Sequence, residues 1–410
     1  MVNLTPSSQG NHTDGYDNGS KCLGYTLIDI VSCSEGGGDA GGDNYGDGTD
    51  GSTGNPNDQD GSNTGDNASG GGGGSGSGNS PTPNPIVSTP VVLTMAEQLS
   101  EFITLDDDYL ETCINKPDNK EFGDQLRDYF LTQNNNPNAE SFGLAAIEAK
   151  CGGGEVDLVN EVILDKSFKD NEKTKCVYDK LKNLSNTVFN DIINDHFDSS
   201  KNAHIRFRIT TTPDGEDAFT KGSTNNGKSF FEIQLDPTVV ANASTIEIAL
   251  MIIHESIHAE LLDRCVQLGI INAFNSDGDP NFTNTSITYT TYDSLFAILV
   301  YQYKNYNGGN TQWNHDLFTG LNYRTNMAQN LVDIHAGLND PANDFLSNVN
   351  NDNMNFFGNF TLEQLMDYIS WIGLEGTQDF INNIQNNPLE QTKKNYVENA
   401  ARAKFTHECN

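Results

Sequence analysis

The chain has 410 residues, with 57 Asp and Glu against 23 Lys and Arg, a formal charge of -34 and 35% hydrophobic residues. Charge of that sign repels a phosphate backbone, which argues against nucleic acid as a partner, and no apolar run reaches the ~18 residues expected of a membrane-spanning helix. The 39 glycines crowd towards the N-terminus and divide the chain before any element is assigned.

Residues 1–33 form a short polar segment with one weak apolar patch, Leu23 to Val31. It has neither a basic start nor a long apolar core, so no export signal is recognisable in it. Asp29 interrupts the approach to Cys33 that lipid attachment requires, and a Cys22–Cys33 disulfide is the expected use of those thiols. Residues 34–86 are almost entirely Gly, Ser, Asp, Asn, Thr and Pro, a composition that builds no core and reads as a disordered linker. Its aspartates do not follow the pattern of a calcium-binding loop. Residues 87–410 are globular in composition, with a helical part at 87–200, strands and a central helix at 201–270, and a second helical part at 271–410.

In the first helical part the apolar spacing predicts helices at Met95–Thr104, Asp107–Cys113, Lys120–Thr132, Ser141–Lys150 and Thr174–Asp195. Cys113, Cys151 and Cys176 match no zinc-ribbon spacing and are expected as buried thiols or one disulfide; seven cysteines leave an odd one over. Two strands follow. His204–Ile209 turns Ile205, Phe207 and Ile209 inward, and Ser229–Leu235 does the same with Phe231, Ile233 and Leu235. His204, on the polar phase, and His196, at a helix end, are expected in solvent.

The stretch Ser244–Gly269 reads as one helix. Ser244 with Glu247 forms a capping box, Gly269 is a stop signal, and the apolar run Ile248–Ile253 buries the helix on most sides. Into it the sequence places His254, Glu255 and His258. A four-residue step brings both imidazoles to one face, where they can chelate one ion, and Glu255 is offset by one position, within reach of a water on that ion. Zn2+ suits such a site: it accepts imidazole, leaves a position open for water, and lowers the pKa of that water so that a carboxylate can take its proton.

His254-Glu-Ser-Ile-His258, preceded by strands, resembles the zincin metallopeptidase superfamily. The resemblance implies that His254 and His258 are zinc ligands and Glu255 the general base. It also implies an edge strand, antiparallel to bound substrate, ahead of the active-site helix; Ser229–Leu235 is the candidate. No metzincin, thermolysin-type or aspzincin continuation follows His258, so the third ligand must come from another pattern. His315, 57 positions beyond His258, opens a helical stretch running to Ile334 after a helix expected at Tyr292–Tyr303. The arrangement is also similar to poorly characterised bacterial predicted zinc metallopeptidases, which carry a segment like Trp371-Ile-Gly-Leu-Glu-Gly-Thr377. His315 is the expected third ligand, with His335 and Asp333 as alternatives and Glu260 on the wrong helix face. Tyr323, beyond His315, is a candidate for stabilising an oxyanion, with a place in a packing seam as its alternative. Asp316, Asp333 and Glu247 are candidate partners of the ligand imidazoles. Asp277–Asn281 reads as a polar turn. Helices at Leu362–Ile372 and Gln378–Ile384 and a final polar helix complete the chain.

These readings converge on a mainly helical α+β zincin-like catalytic domain behind a linker, a zinc metalloendopeptidase acting on protein or peptide. The acidity and the linker suit an extracellular or cell-surface bacterial location. The alternatives are a catalytically silent binding module on the same scaffold, or cargo of a larger assembly docked through residues 1–33.

Overall fold

The computed structural model describes residues 92–409 apart from 134–136, 186, 198–202, 226–227, 283–295, 297–299, 301–312 and 354–355. The expectations for residues 1–86, including the Cys22–Cys33 pairing, and for most of Tyr292–Tyr303 lie outside the described residues. The chain divides into Met1–Leu93 and Thr94–Asn410, and all elements below belong to the second unit.

Four helices come first: α1 (Met95–Leu99), α2 (Asp108–Ile114), α3 (Lys120–Thr132) and α4 (Pro137–Cys151). Side-chain caps start the first two, Thr94 in a capping box with Glu97 and Asp107 on the Tyr109 N–H. A five-stranded sheet follows in the order β1-β2-β3-β5-β4, from β1 (Glu155–Asp157), β2 (Val162–Leu164), β3 (Ala203–Ile209), β4 (Ala218–Asn225) and β5 (Lys228–Leu235). The central pairs β2–β3 and β3–β5 are parallel, and β1 and β4 run antiparallel at the two edges. The period-two alternation of strand side chains then separates two cores. Ile163 packs with α1–α4, whereas Val162, Leu164, Ile205, Phe207, Phe231 and Ile233 pack on the other face with the central helix. The unit is α+β, with a small mixed sheet between helical layers.

That second layer explains a correction. His204 does sit on the polar phase of β3, but α4 covers that face, so His204 is buried between the rings of Phe142 (5.4 Å) and Phe230 (4.6 Å). His196 is also withdrawn from solvent, with its ring nitrogens 3.4 Å from Glu260 and Asp263. The long helix expected at Thr174–Asp195 is two, α5 (Glu172–Asn183) and α6 (Val188–His196), because Leu184 turns extended and Thr187 caps a new start by accepting from the Asn190 N–H.

The central helix α7 (Thr245–Gln267) has the expected capping box, with Ser244 and Glu247 bonded reciprocally. A short hairpin, β6 (Ile271–Phe274) and β7 (Pro280–Phe282), follows, its turn held by the Asn275 side chain on the Asp277 and Asp279 N–H groups. Beyond the undescribed stretch lie α8 (Trp313–Gly320), α9 (Tyr323–Leu338), α10 (Phe345–Asn353), α11 (Leu362–Ile369) and α12 (Pro388–Lys404). The continuous helix expected from His315 to Ile334 breaks at Asn322, whose φ of 63° is left-handed. Two disulfides staple the unit, Cys113–Cys151 and Cys176–Cys409. The second joins α5 to the chain end, where the Thr406 carbonyl accepts the Thr245 N–H at the start of α7. Cys265 is buried in α7 outside both bridges.

Candidate metal centre

The site is built where α7, α8 and the edge strand β4 meet. His254 and His258 are one turn apart on α7, 7% and 8% exposed, on the face turned towards α8. From α8 comes His315. The three ε-nitrogens converge: His254 to His258 3.0 Å, His258 to His315 3.0 Å and His254 to His315 3.4 Å. Among the described residues this is the one group of His, Cys, Asp or Glu placed to hold a metal ion.

A tetrahedral zinc with bonds of about 2.0–2.1 Å requires ligand nitrogens about 3.3 Å apart, so the donor set and its spacing fit that ion. Protonation fits as well. Burial pushes the His254 and His258 imidazoles well below their ordinary range, with the neighbouring histidines adding to the effect, and burial lowers His315 to about 4. Three neutral imidazoles thus present their ε-nitrogens to one point. A cation there satisfies all three at once; hydrogen bonding among them does not, since each neutral ring carries a single N–H. Phe318 of α8 lies against the rings of His254 (4.7 Å) and His258 (4.9 Å), and the Asn314 amide approaches Nδ1 of His258 at 3.4 Å.

Glu255 faces the sheet. Its Oε2 accepts the Thr220 hydroxyl of β4 at 2.7 Å. Burial pushes the Glu255 carboxyl up, Thr220 pulls it back and the charge of Glu216 raises it again, to about 7. The edge strand is β4, not the Ser229–Leu235 segment, which becomes β5 in the sheet interior. β4 shows no apolar alternation because its inward positions are small or polar: Thr220 bonds Glu255 of α7, and Gly222 leaves room for the Phe274 ring of β6. The Asp236 N–H bonds the Asp217 carbonyl at 3.1 Å, which makes the odd-numbered positions the ones paired with β5. Alternation then directs the backbone N–H and C=O of Ala218 and Thr220 to the open edge. That edge borders a cleft of about 820 Å³ lined by His254, Glu255, His258 and His315, by Phe282 and Trp313, and by Glu216, Asp217 and Asp279.

The other candidates lie elsewhere. Tyr323 is buried, and its hydroxyl donates to Glu260 (2.5 Å) and accepts from Arg264 (3.3 Å); with α9 starting afresh after Asn322, it falls outside the cleft lining and in a packing seam. Glu260 takes that bond and the His196 contact. His335 packs against Phe405, with ring centroids 5.7 Å apart, and Asp333 is exposed and bonded to Gln329. Glu247 caps α7 and pairs with Arg402. Asp316 is buried beside His315 and accepts the Gln378 N–H at 3.2 Å. Thr220, Asn314 and Gly373 at the site carry no signal in the sequence as isolated residues. Gly373 lies within the Trp371–Thr377 segment already marked there, but its contact with His254 is tertiary.

Comparison with protein-family models, with curated proteins and with solved structures finds no match to this chain. The functional reading therefore rests on the geometry.

Proposed function

We propose that the protein is a zinc-dependent endopeptidase in which His254, His258 and His315 hold the metal and Glu255 is the general base. The observation that carries the reading is the convergence of three neutral imidazoles, two buried and one half-buried, beside the buried Glu255 carboxyl in the lining of an open cleft. When bound, zinc supplies a Lewis acid that activates water and polarises a peptide carbonyl. Glu255, its carboxylate oriented by Thr220, would accept a proton from water at the site and would return it to the leaving amine. The outward backbone groups of Ala218 and Thr220 offer an extended peptide a strand to pair with, a mode that selects polypeptide over small molecules. This arrangement of edge strand, cleft and helix supports the zincin resemblance beyond the motif itself. Carboxylates on the cleft rim disfavour a phosphorylated substrate. The two disulfides support an exported location, since such bridges persist in oxidising compartments.

The test is elemental analysis of the purified protein beside His315→Ala and His335→Ala, followed by cleavage of a denatured protein substrate by wild type and Glu255→Gln. One zinc per chain, lost in His315→Ala and kept in His335→Ala, with cleavage abolished in Glu255→Gln, is the expected result. Folded wild type that takes up no zinc removes the enzyme reading. Zinc uptake with no cleavage of any peptide leaves the silent binding module.

A further inference from the structure

The segment Trp371–Gln378 touches two ligand-bearing elements at once. At Gly373 the backbone adopts a φ of +83° and lies so close to His254 that an added Cβ would meet Cε1 of the ring at 3.1 Å. Glycine is the residue that permits both the dihedral and the approach. The Gly373 N–H donates to Oε2 of Glu375 at 2.8 Å, and the other carboxylate oxygen of Glu375 pairs with Nζ of Lys394 at 2.5 Å. Lys394 is 4% exposed on α12 and also pairs with Glu398 at 2.8 Å; a cation so buried requires such partners. On one side of the segment Trp371 packs beneath the Arg324 guanidinium at 4.2 Å. At its far end the Gln378 N–H is bound by Asp316, the neighbour of His315.

We propose that this segment positions the metal ligands, with Glu375 as its pivot. Lys394 fixes the Glu375 carboxylate, Glu375 fixes the Gly373 backbone, and Gly373 closes one side of the His254 ring while Phe318 closes another. The inference rests on the metal reading of the three histidines. Gly373 and Glu375 are positioning residues: they act on the ring of a ligand, and their loss loosens the site rather than removing a donor. Supports of ligand orientation are each worth about 10- to 100-fold in metal affinity.

The experiment compares zinc dissociation constants, by chelator competition, and the absorption spectrum of the cobalt-substituted protein in wild type, Glu375→Ala, Glu375→Gln, Gly373→Ala and Glu398→Ala, together with the Tm of each metal-free form. Glu375→Ala is expected to weaken zinc about 10- to 100-fold and alter the cobalt spectrum. Glu375→Gln, which keeps an oxygen for the Gly373 N–H, recovers most of that affinity. Gly373→Ala weakens zinc with the Glu375–Lys394 pair intact, which keeps the inference testable if Glu375→Ala fails to fold. Glu398→Ala lowers the Tm and leaves zinc affinity and the spectrum at wild-type values. Wild-type zinc affinity in both Glu375→Ala and Gly373→Ala, whatever their Tm, overturns the inference while the metal reading stands. No zinc uptake by wild type overturns the metal reading itself and the inference with it.

Discussion

Replacing His315 by Ala separates a ligand from a packing residue. In the metal-free protein His315 sits with its ε-nitrogen 3.0 Å and 3.4 Å from those of His258 and His254, all three rings neutral. His315 is only half-buried and packs edge-on against Phe318, so the metal-free variant is expected to melt within about 2 °C of wild type. With zinc the two separate. Zinc at a thousand times its dissociation constant adds about 4 kcal/mol to the native state. Unfolding entropy of roughly 2.1 cal/mol/K per residue, over Thr94–Asn410, comes to about 0.7 kcal/mol/K, so wild type gains about 6 °C. His315→Ala loses most of that gain and His335→Ala keeps it. Differential scanning calorimetry in chelator and in buffered zinc reads both forms on one sample. Equal loss of Tm with and without zinc would make His315 a packing residue and refute the argument, as would a full zinc shift retained in His315→Ala.

Other consequences are as direct. Thr220→Val removes the hydroxyl that orients Glu255 while nearly conserving volume; cleavage is expected to fall about 10- to 100-fold at unchanged zinc content, from the worth of a hydrogen bond to a charged group, and unchanged turnover would show that Thr220 is only packing. The Cys176–Cys409 bridge spans 233 residues, for which chain entropy gives about 5.5 kcal/mol, so Cys176→Ser/Cys409→Ser should lower the Tm by about 8 °C in a denaturation scan. Zinc affinity should survive, because the bridge anchors the start of α7, about 14 Å along the helix from His254; its loss would show that the strap shapes the site. Burial alone would depress His196, but its bonds and proximity to Asp263 and Glu260 outweigh this and raise it to about 9. Its folded value thus exceeds the unfolded one of about 6.5, and the resulting stability, about 3 kcal/mol at most, is complete below pH 6.5 and lost as pH rises to about 9. Urea midpoints between pH 6.5 and 9.5 should fall more steeply in wild type than in His196→Gln, and parallel slopes would remove His196 as the cause.

Local geometry explains what could be read from the chain alone. Helix periodicity dictates that residues four apart share a face, so the approach of the His254 and His258 imidazoles on one face of α7 was legible, as were the cap at Ser244 and the burial of the helix around them. Alternation likewise exposed β3 and β5. None of this fixes a partner across sequence distance. His315, His335 and Asp333 could not be ranked by spacing, because only the packing of α8 on α7 decides which of them reaches the two imidazoles. The edge strand β4 has small or polar residues where strand patterns expect large apolar ones, since Thr220 meets Glu255 and Gly222 the Phe274 ring. His204 looked solvated because a strand does not reveal what covers its second face. Tyr323 was offered a place at the site by counting turns through a helix that breaks at Asn322. The hold of Gly373 on His254 joins the segment after α11 to α7, a contact created when both are pressed into the same core.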